Sequence, residues 1–212
     1  MPNITGPALS FPARAFPTQQ AGAPVGVVGE LGFSALLGKY STLVKSQKVF
    51  YTTCIVTTPN VFTLAAQLGP ILWNKPASGI DAHLLGFSVG SPTTAASTVP
   101  GSWGWVQNVQ STQPTATITN LPVQNAYAGG GPSQLAGVMT TSGNVGILPT
   151  PIFVPFIGYN TGAITTQVLS GGYVDVGGMF IVGPGNLGCA SVSATLTGGV
   201  FTVGLLWAEL PA

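Results

Sequence analysis

Charge is what this sequence has least of. Arg14, Lys39, Lys45, Lys48 and Lys75 are its basic residues, and Glu30, Asp81, Asp175 and Glu209 its acids. Together they make 4% of 212 residues, against roughly a quarter in an ordinary soluble domain. No formally charged side chain lies between Asp81 and Asp175. Five scattered cations form no patch that could neutralise a phosphate backbone, which excludes nucleic acid as an expected partner. Long hydrophobic runs are missing as well. Thr, Ser, Gly, Asn or Pro interrupts each apolar stretch before the roughly 18 residues that a membrane-spanning helix needs, so no membrane partner is expected. The first residues, MPNITGPALSFPARAFPTQQ, lack the basic head and continuous apolar stretch of a secretory signal. Export by that route is not expected. Cysteine is scarce too. Cys54 and Cys189 are too few for a disulfide framework, and each sits in a strand-like run (YTTCIV and GCASVSA). Buried thiols are the expectation, with one bridge between them as the alternative.

A net charge of +1 gives little electrostatic self-repulsion. The cores of obligate interfaces are depleted in charge, so a near-neutral surface makes sense when partners cover much of it. The alternative is a neutral secreted or surface-layer protein kept soluble by hydroxyls and amides.

Glycine and proline are plentiful, at 30 and 18 residues. They separate short β-branched and aromatic runs: KVFYTTCIV at 48–56, VFTLAAQL at 61–68, ILWNK at 71–75, IDAHLLGFSVG at 80–90 and SWGWVQNVQ at 102–110. TATITNL at 115–121 can pair locally, and 124–151 reads as a glycine-rich loop. IFVPFIGY, AITTQVLS, YVDV, MFIVG, CASVSATLT and VFTVGLLWAEL follow as strands, with Gly171-Gly172, Gly177-Gly178 and Gly198-Gly199 as turns between them. Many short strands with frequent turn signals describe an all-β sandwich or barrel. A jelly-roll-like two-sheet β-sandwich over 27–212 is expected rather than an immunoglobulin-like one. The chain is longer than such a domain, and no Cys…Trp…Cys spacing appears. Within this range, 27–40 suits a short helix or a glycine-broken strand. Residues 1–26 carry Pro2, Pro7, Pro12, Pro17 and Pro24. This spacing forbids a regular helix and favours an extended N-terminal arm. Its Leu9, Phe11, Arg14 and Phe16 are the candidate contacts to a neighbouring chain.

No arrangement of residues calls for chemistry. His83 is the one histidine, and on a strand it shares a face with Asp81; a hydrogen-bonded structural histidine is the expectation, and the chain is read as no enzyme. The carboxylates lie apart, so no glycosidase pair forms. No Cys-x-x-Cys, histidine cluster or calcium-loop spacing occurs, so neither a metal nor another cofactor is expected. Gly183-Pro184-Gly185-Asn186-Leu187-Gly188 spells G-x-G-x-x-G, but a strand-like run follows where a dinucleotide site needs a helix. A hairpin turn is expected there. Asn3-Ile4-Thr5 is a sequon by chance. Trp103 and Trp105, two apart on a strand, are the candidate sugar platform, with a packed cluster as the alternative.

Two blocks, ILWNKPASGIDAHLLGFSVG (71–90) and MFIVGPGNLGCASVSATLTGGVFTVGLLWAELPA (179–212), resemble segments of tailed-bacteriophage virion structural proteins. The first is similar to an Asn-Pro-type segment before an apolar strand, although here Lys75 separates Asn74 from Pro76. The second resembles their ending, a Pro-Gly turn, a glycine-rich hairpin and a last strand closing in Trp-x-Glu. The resemblance implies a jelly-roll capsid decoration, or cement, protein with no catalytic residues. Such a protein would be a homo-oligomer, with a trimer favoured. It would be made in the host cytoplasm and bound to the major capsid protein on the capsid exterior. The alternative is a tail-fibre or spike module that recognises host surface carbohydrate.

Overall fold

A computed structural model describes residues 39–57, 69–90, 101–113, 118–135, 137–141, 152–159, 172–193 and 200–212. The chain divides into two compact units, Met1–Ser46 and Gln47–Ala212. The described part of the first is a turn at Lys39–Tyr40 and one short helix, α1 (Ser41–Lys45). The proline-rich residues 1–26 lie outside the described residues, as do 61–68 and 163–170.

The second unit is all-β. Its strands are β1 (Val49–Thr57), β2 (Ile71–Asn74), β3 (Ile80–Gly90), β4 (Gly101–Val109), β5 (Ile118–Asn120), β6 (Gln124–Asn125), β7 (Gly137–Thr141), β8 (Ile152–Tyr159), β9 (Gly172–Val182), β10 (Asn186–Val192) and β11 (Val200–Pro211). One sheet runs β6-β1-β11-β3-β9 and the other β5-β7-β2-β10-β4-β8. Every described ladder is antiparallel. Without β5, β6 and β7, the orders become β1-β11-β3-β9 and β2-β10-β4-β8, the strand order of a jelly roll. Successive strands of this set alternate between sheets, except that β4 and β8 share one. The three extra strands lie in sequence between β4 and β8 and extend the sheets beyond β1 and β2. The expected jelly-roll sandwich is thus the fold.

Three local expectations change. The glycine-rich stretch 124–151 is not all loop, because β6 and β7 form within it. YVDV and MFIVG are one strand. Gly177 (φ 66°) and Gly178 (φ 81°) adopt left-handed backbone inside β9, opposite a register shift between Leu84 and Gly86 of β3. The pair makes an irregularity in an edge strand rather than a turn, which also blunts that edge against pairing with another chain. Pro155 sits in β8, the opposite sheet's edge strand, where proline is tolerated. Finally, Gly183-Pro184-Gly185-Asn186 is a β-turn closed by Asn186 N–H to Gly183 C=O at 3.1 Å, with Gly185 at φ 77°. It joins β9 of one sheet to β10 of the other, so it is a corner and no hairpin.

The core lies between the sheets. Phe50, Leu84, Phe87, Phe201 and Trp207 enter from the first and Leu72, Trp103, Trp105 and Ala190 from the second. Each large side chain so buried contributes about 1.5–3 kcal/mol. The aromatic rings interlock, with Trp103–Phe201 centroids 5.4 Å apart and Phe50–Trp207 stacked at 6.1 Å.

Two buried polar groups tie the ends down. Asn74 Nδ2 donates to the carbonyls of Ile80 (2.7 Å) and Val182 (2.9 Å), and the backbone carbonyl of the same residue accepts from Gly185 N–H (2.8 Å). One side chain therefore fixes both the β2–β3 and the β9–β10 corner. Glu209, also buried, accepts from Gln134 N–H (2.7 Å), Trp207 Nε1 (3.1 Å) and Ser133 Oγ. It anchors the 126–135 segment to the last strand, the satisfied state that a buried carboxylate requires.

Candidate binding surfaces

The residues singled out in the sequence fare unequally. Leu9, Phe11, Arg14 and Phe16 lie outside the described residues. Trp103 and Trp105 are 2% and 1% exposed. A sugar stacks only on a ring face open to solvent, so the expected Trp103–Trp105 platform is corrected: both indoles are core. β4 lays them on its inward face, and Trp105 covers Gly188 so closely that a Cβ there would lie 2.1 Å from the ring.

His83 and Asp81 are half-buried on the outward side of β3, with no hydrogen bond or ion pair between them. The His83 imidazole has no hydrogen-bond partner among the described residues, which corrects the expectation of a hydrogen-bonded histidine. One motif escaped the sequence reading. Gly86-Phe87-Ser88-Val89-Gly90 spells the Gly-x-Ser-x-Gly of a nucleophile elbow, which needs a sharp strand-to-helix turn. Here all five residues run inside β3 in unbroken register with Leu206 to Thr202 of β11. Ser88 is a sheet residue, not an elbow nucleophile. Among the described residues no three of His, Cys, Asp and Glu gather where they could hold a metal ion. No described helix is long and apolar enough to cross a membrane.

No disulfide joins Cys54 to Cys189. Cys54 points between the sheets from β1, whereas Cys189 lies on the side of β10 away from them. Burial pushes both thiols up to about 12, because a thiolate there would lose its hydration.

Two surface features are built by the fold. The first lies in the gap between β4 of one sheet and β9 of the other. Gln107 spans the gap, its Nε2 donating to the Ile181 carbonyl and its Oε1 accepting from Trp105 Nε1 at 3.4 Å. Beside it lies a cleft of about 380 Å³ with Trp105, Val154 and Phe180 on its apolar side and Gln107, Asn108 and Asn186 as amides. Val109, which lines it, is 61% exposed, and Met179 and Ile181, on either side of the lining Phe180 and on the outer face of β9, are 71% and 41% exposed.

The second is a trough on the outer face of the first sheet. Cross-strand register puts Tyr51, Leu206, Gly86 and Asp175 in one row and Thr53, Gly204, Ser88 and Tyr173 in the next. The two middle strands supply mostly glycine and serine, and the outer two supply tyrosine. A hollow of about 200 Å³ results, floored by Gly86, Ser88 and Gly204 and flanked by Tyr51 and Tyr173. Its signal was present in the sequence. Gly86, Ser88 and Gly90, like Thr202 and Gly204, recur with period two, which places small residues on one face.

No protein-family model, curated protein or solved structure matches this chain.

Proposed function

We propose that the protein is a non-enzymatic structural component of a virion, a capsid decoration protein that works by packing against other chains. The observation that carries this reading is the cleft between β4 and β9. Val109 stands exposed among the residues that line it, with an aromatic wall and an amide rim, and Met179 and Ile181 stand exposed on the outer face of β9, on either side of the lining Phe180. Apolar centre, polar rim and no formal charge among the lining residues is the composition of a protein–protein interface. The resemblance of 71–90 and 179–212 to tailed-phage virion proteins, and the jelly-roll strand order, support the same assignment. The partner would be the major capsid protein, together with further copies of this chain, on the capsid exterior.

Co-sedimentation with undecorated capsids tests it. Val109→Asp puts a charge at an exposed strand position, where the fold tolerates it, and on the rim of the cleft. Capsid affinity should fall at least about tenfold, because a charge buried there without a partner is strongly penalised. Unchanged capsid occupancy would remove this cleft as the interface. A second reading, a tail-fibre or spike module recognising host carbohydrate, retains one specific observation in its favour, the tyrosine-flanked trough.

A further inference from the structure

The order of the first sheet puts two features at opposite ends of one cross-strand row. Asn125, Phe50, Trp207, Leu84 and Phe180 pair in succession from β6 to β9. Phe180 stands on the apolar side of the β4–β9 cleft. Tyr127 follows Asn125 by two residues, at the tip of the segment that Glu209 anchors. Four interstrand spacings, roughly 19 Å, separate the ends of the row. The tip is built to hold its shape. Asn125 Nδ2 donates to the carbonyls of Gln47 (3.0 Å) and Gly131 (3.1 Å), and its Oδ1 accepts from Tyr127 N–H (2.9 Å). Gly130 N–H closes a turn onto the Tyr127 carbonyl at 2.8 Å, with Gly129 at φ 80°. On this frame Tyr127 is 44% exposed, and its hydroxyl has no hydrogen-bond partner among the described residues.

The cleft has what a tyrosine needs. Trp105, Val154 and Phe180 offer an apolar wall, and an aromatic ring packed on other rings gains more than its buried area alone provides. A buried phenol also needs a polar partner. Gln107 and Asn186 supply it on the rim. An amide nitrogen carries two hydrogens, and each of these donates one within the chain, to the carbonyls of Ile181 and Pro184. The second hydrogen of each is left for the phenol oxygen. Charge raises no barrier, because no described residue of the tip or of the cleft lining is formally charged. Tyrosine is moreover a rigid anchor, with two side-chain torsions to fix, and is enriched where a few residues carry most of the binding energy. With the width of the sheet between them, a tip cannot fill the cleft of its own copy.

We propose that the Tyr127 tip of one copy inserts into the β4–β9 cleft of the next, so that copies join head to tail. This rests on the reading of the cleft as an interface and names its occupant. A contact between two different surfaces is heterologous, and it closes into a ring where the rotation allows. Residues 126–132 are fewer than the roughly 20–30 that a standard interface takes from each side. A ring compensates, because every copy makes the contact twice and none leaves without breaking both. Concentration-dependent light scattering of the full chain tests this. Tyr127→Ala and Val109→Asp should each raise the concentration at which the assembly dissociates at least about tenfold. Tyr127→Phe, which keeps the ring and loses the hydroxyl, should raise it less. Mixing the two defective variants is decisive. Tyr127→Ala keeps a cleft and Val109→Asp keeps a tip, so at high concentration they should form a one-to-one dimer that neither forms alone. Circular dichroism of each variant separates lost contact from lost fold. Wild-type mass in Tyr127→Ala, or no dimer in the mixture, would overturn the tip as occupant. If Val109→Asp then still loses capsid occupancy, the cleft remains an interface for another chain; if occupancy is kept, the reading of the cleft falls as well.

Discussion

The two sheets of this sandwich bury their strands differently. In the first, β1 alternates strictly from Phe50 onward: Phe50, Thr52, Cys54 and Val56 face the core while Tyr51, Thr53, Ile55 and Thr57 face solvent. In the second, β2 is buried at every position and β10 at all but its first. Register shows why. Leu72 and Ala190 point between the sheets, whereas Ile71, Trp73, Val106, Leu187 and Cys189 share the opposite face, and each of these five is 7% exposed or less. An antiparallel sheet with one wet face reads as alternation, and a sheet buried on both reads as a continuous apolar run. The outer face left open by the first sheet is the one that carries the trough.

Leu187→Ala against Ile55→Ala puts the contrast to its hardest trial. Both residues lie on the outward face of their sheet, but Leu187 is 0% and Ile55 70% exposed. Urea unfolding should show a loss of about 2–5 kcal/mol for the first and within about 0.5 kcal/mol for the second. Similar costs at the two sites would erase the distinction between the sheets.

Glycine sharpens it. Gly188→Ala drives a methyl into the buried Trp105 ring, which has no free space to enter, and should cost about 1–3 kcal/mol. Gly204→Ala on the open sheet meets Ser88 Oγ at 2.5 Å, but that hydroxyl can rotate away. A change below about 1 kcal/mol is expected in the same assay. The reverse order would mean that Trp105 is not held as described.

The thiols add an effect that depends on pH. Each holds its proton to about 12 in the fold against an ordinary 9.0. Between those values the native protein binds more protons than the unfolded chain, so stability is undiminished below pH 9 and declines as pH rises through that window. Thermal melts from pH 8 to 11 should show the decline, and a Cys54→Ala/Cys189→Ala variant should show a shallower one. Rapid alkylation of the native protein at pH 8 would contradict the burial.

Much of this architecture was readable from residues alone. IDAHLLGFSVG is β3 residue for residue, and KVFYTTCIV, ILWNK and IFVPFIGY lie within one residue of β1, β2 and β8, because β-branched runs between glycine and proline leave few alternatives. The failures have physical causes. Gly177-Gly178 looks like a turn to any reading based on residue type, yet positive φ serves a strand irregularity equally well. Gly183-Pro184-Gly185 makes the turn expected of it, but sequence does not say which sheet the next strand will join. Trp103 and Trp105 share the face that was anticipated, and which side of the sheet that face looks toward is settled only by packing. The trough was hidden for the opposite reason: its floor is made of residues chosen for being small, and its walls come from strands more than a hundred residues apart, Tyr51 in β1 and Tyr173 in β9.

We propose that a chain with so few charges is covered by other chains, and light scattering of the purified protein tests this most directly. A stable homo-oligomer, a trimer above all, that survives dilution and moderate salt is the expected result. A monodisperse monomer at every concentration would contradict assembly as the role of this surface.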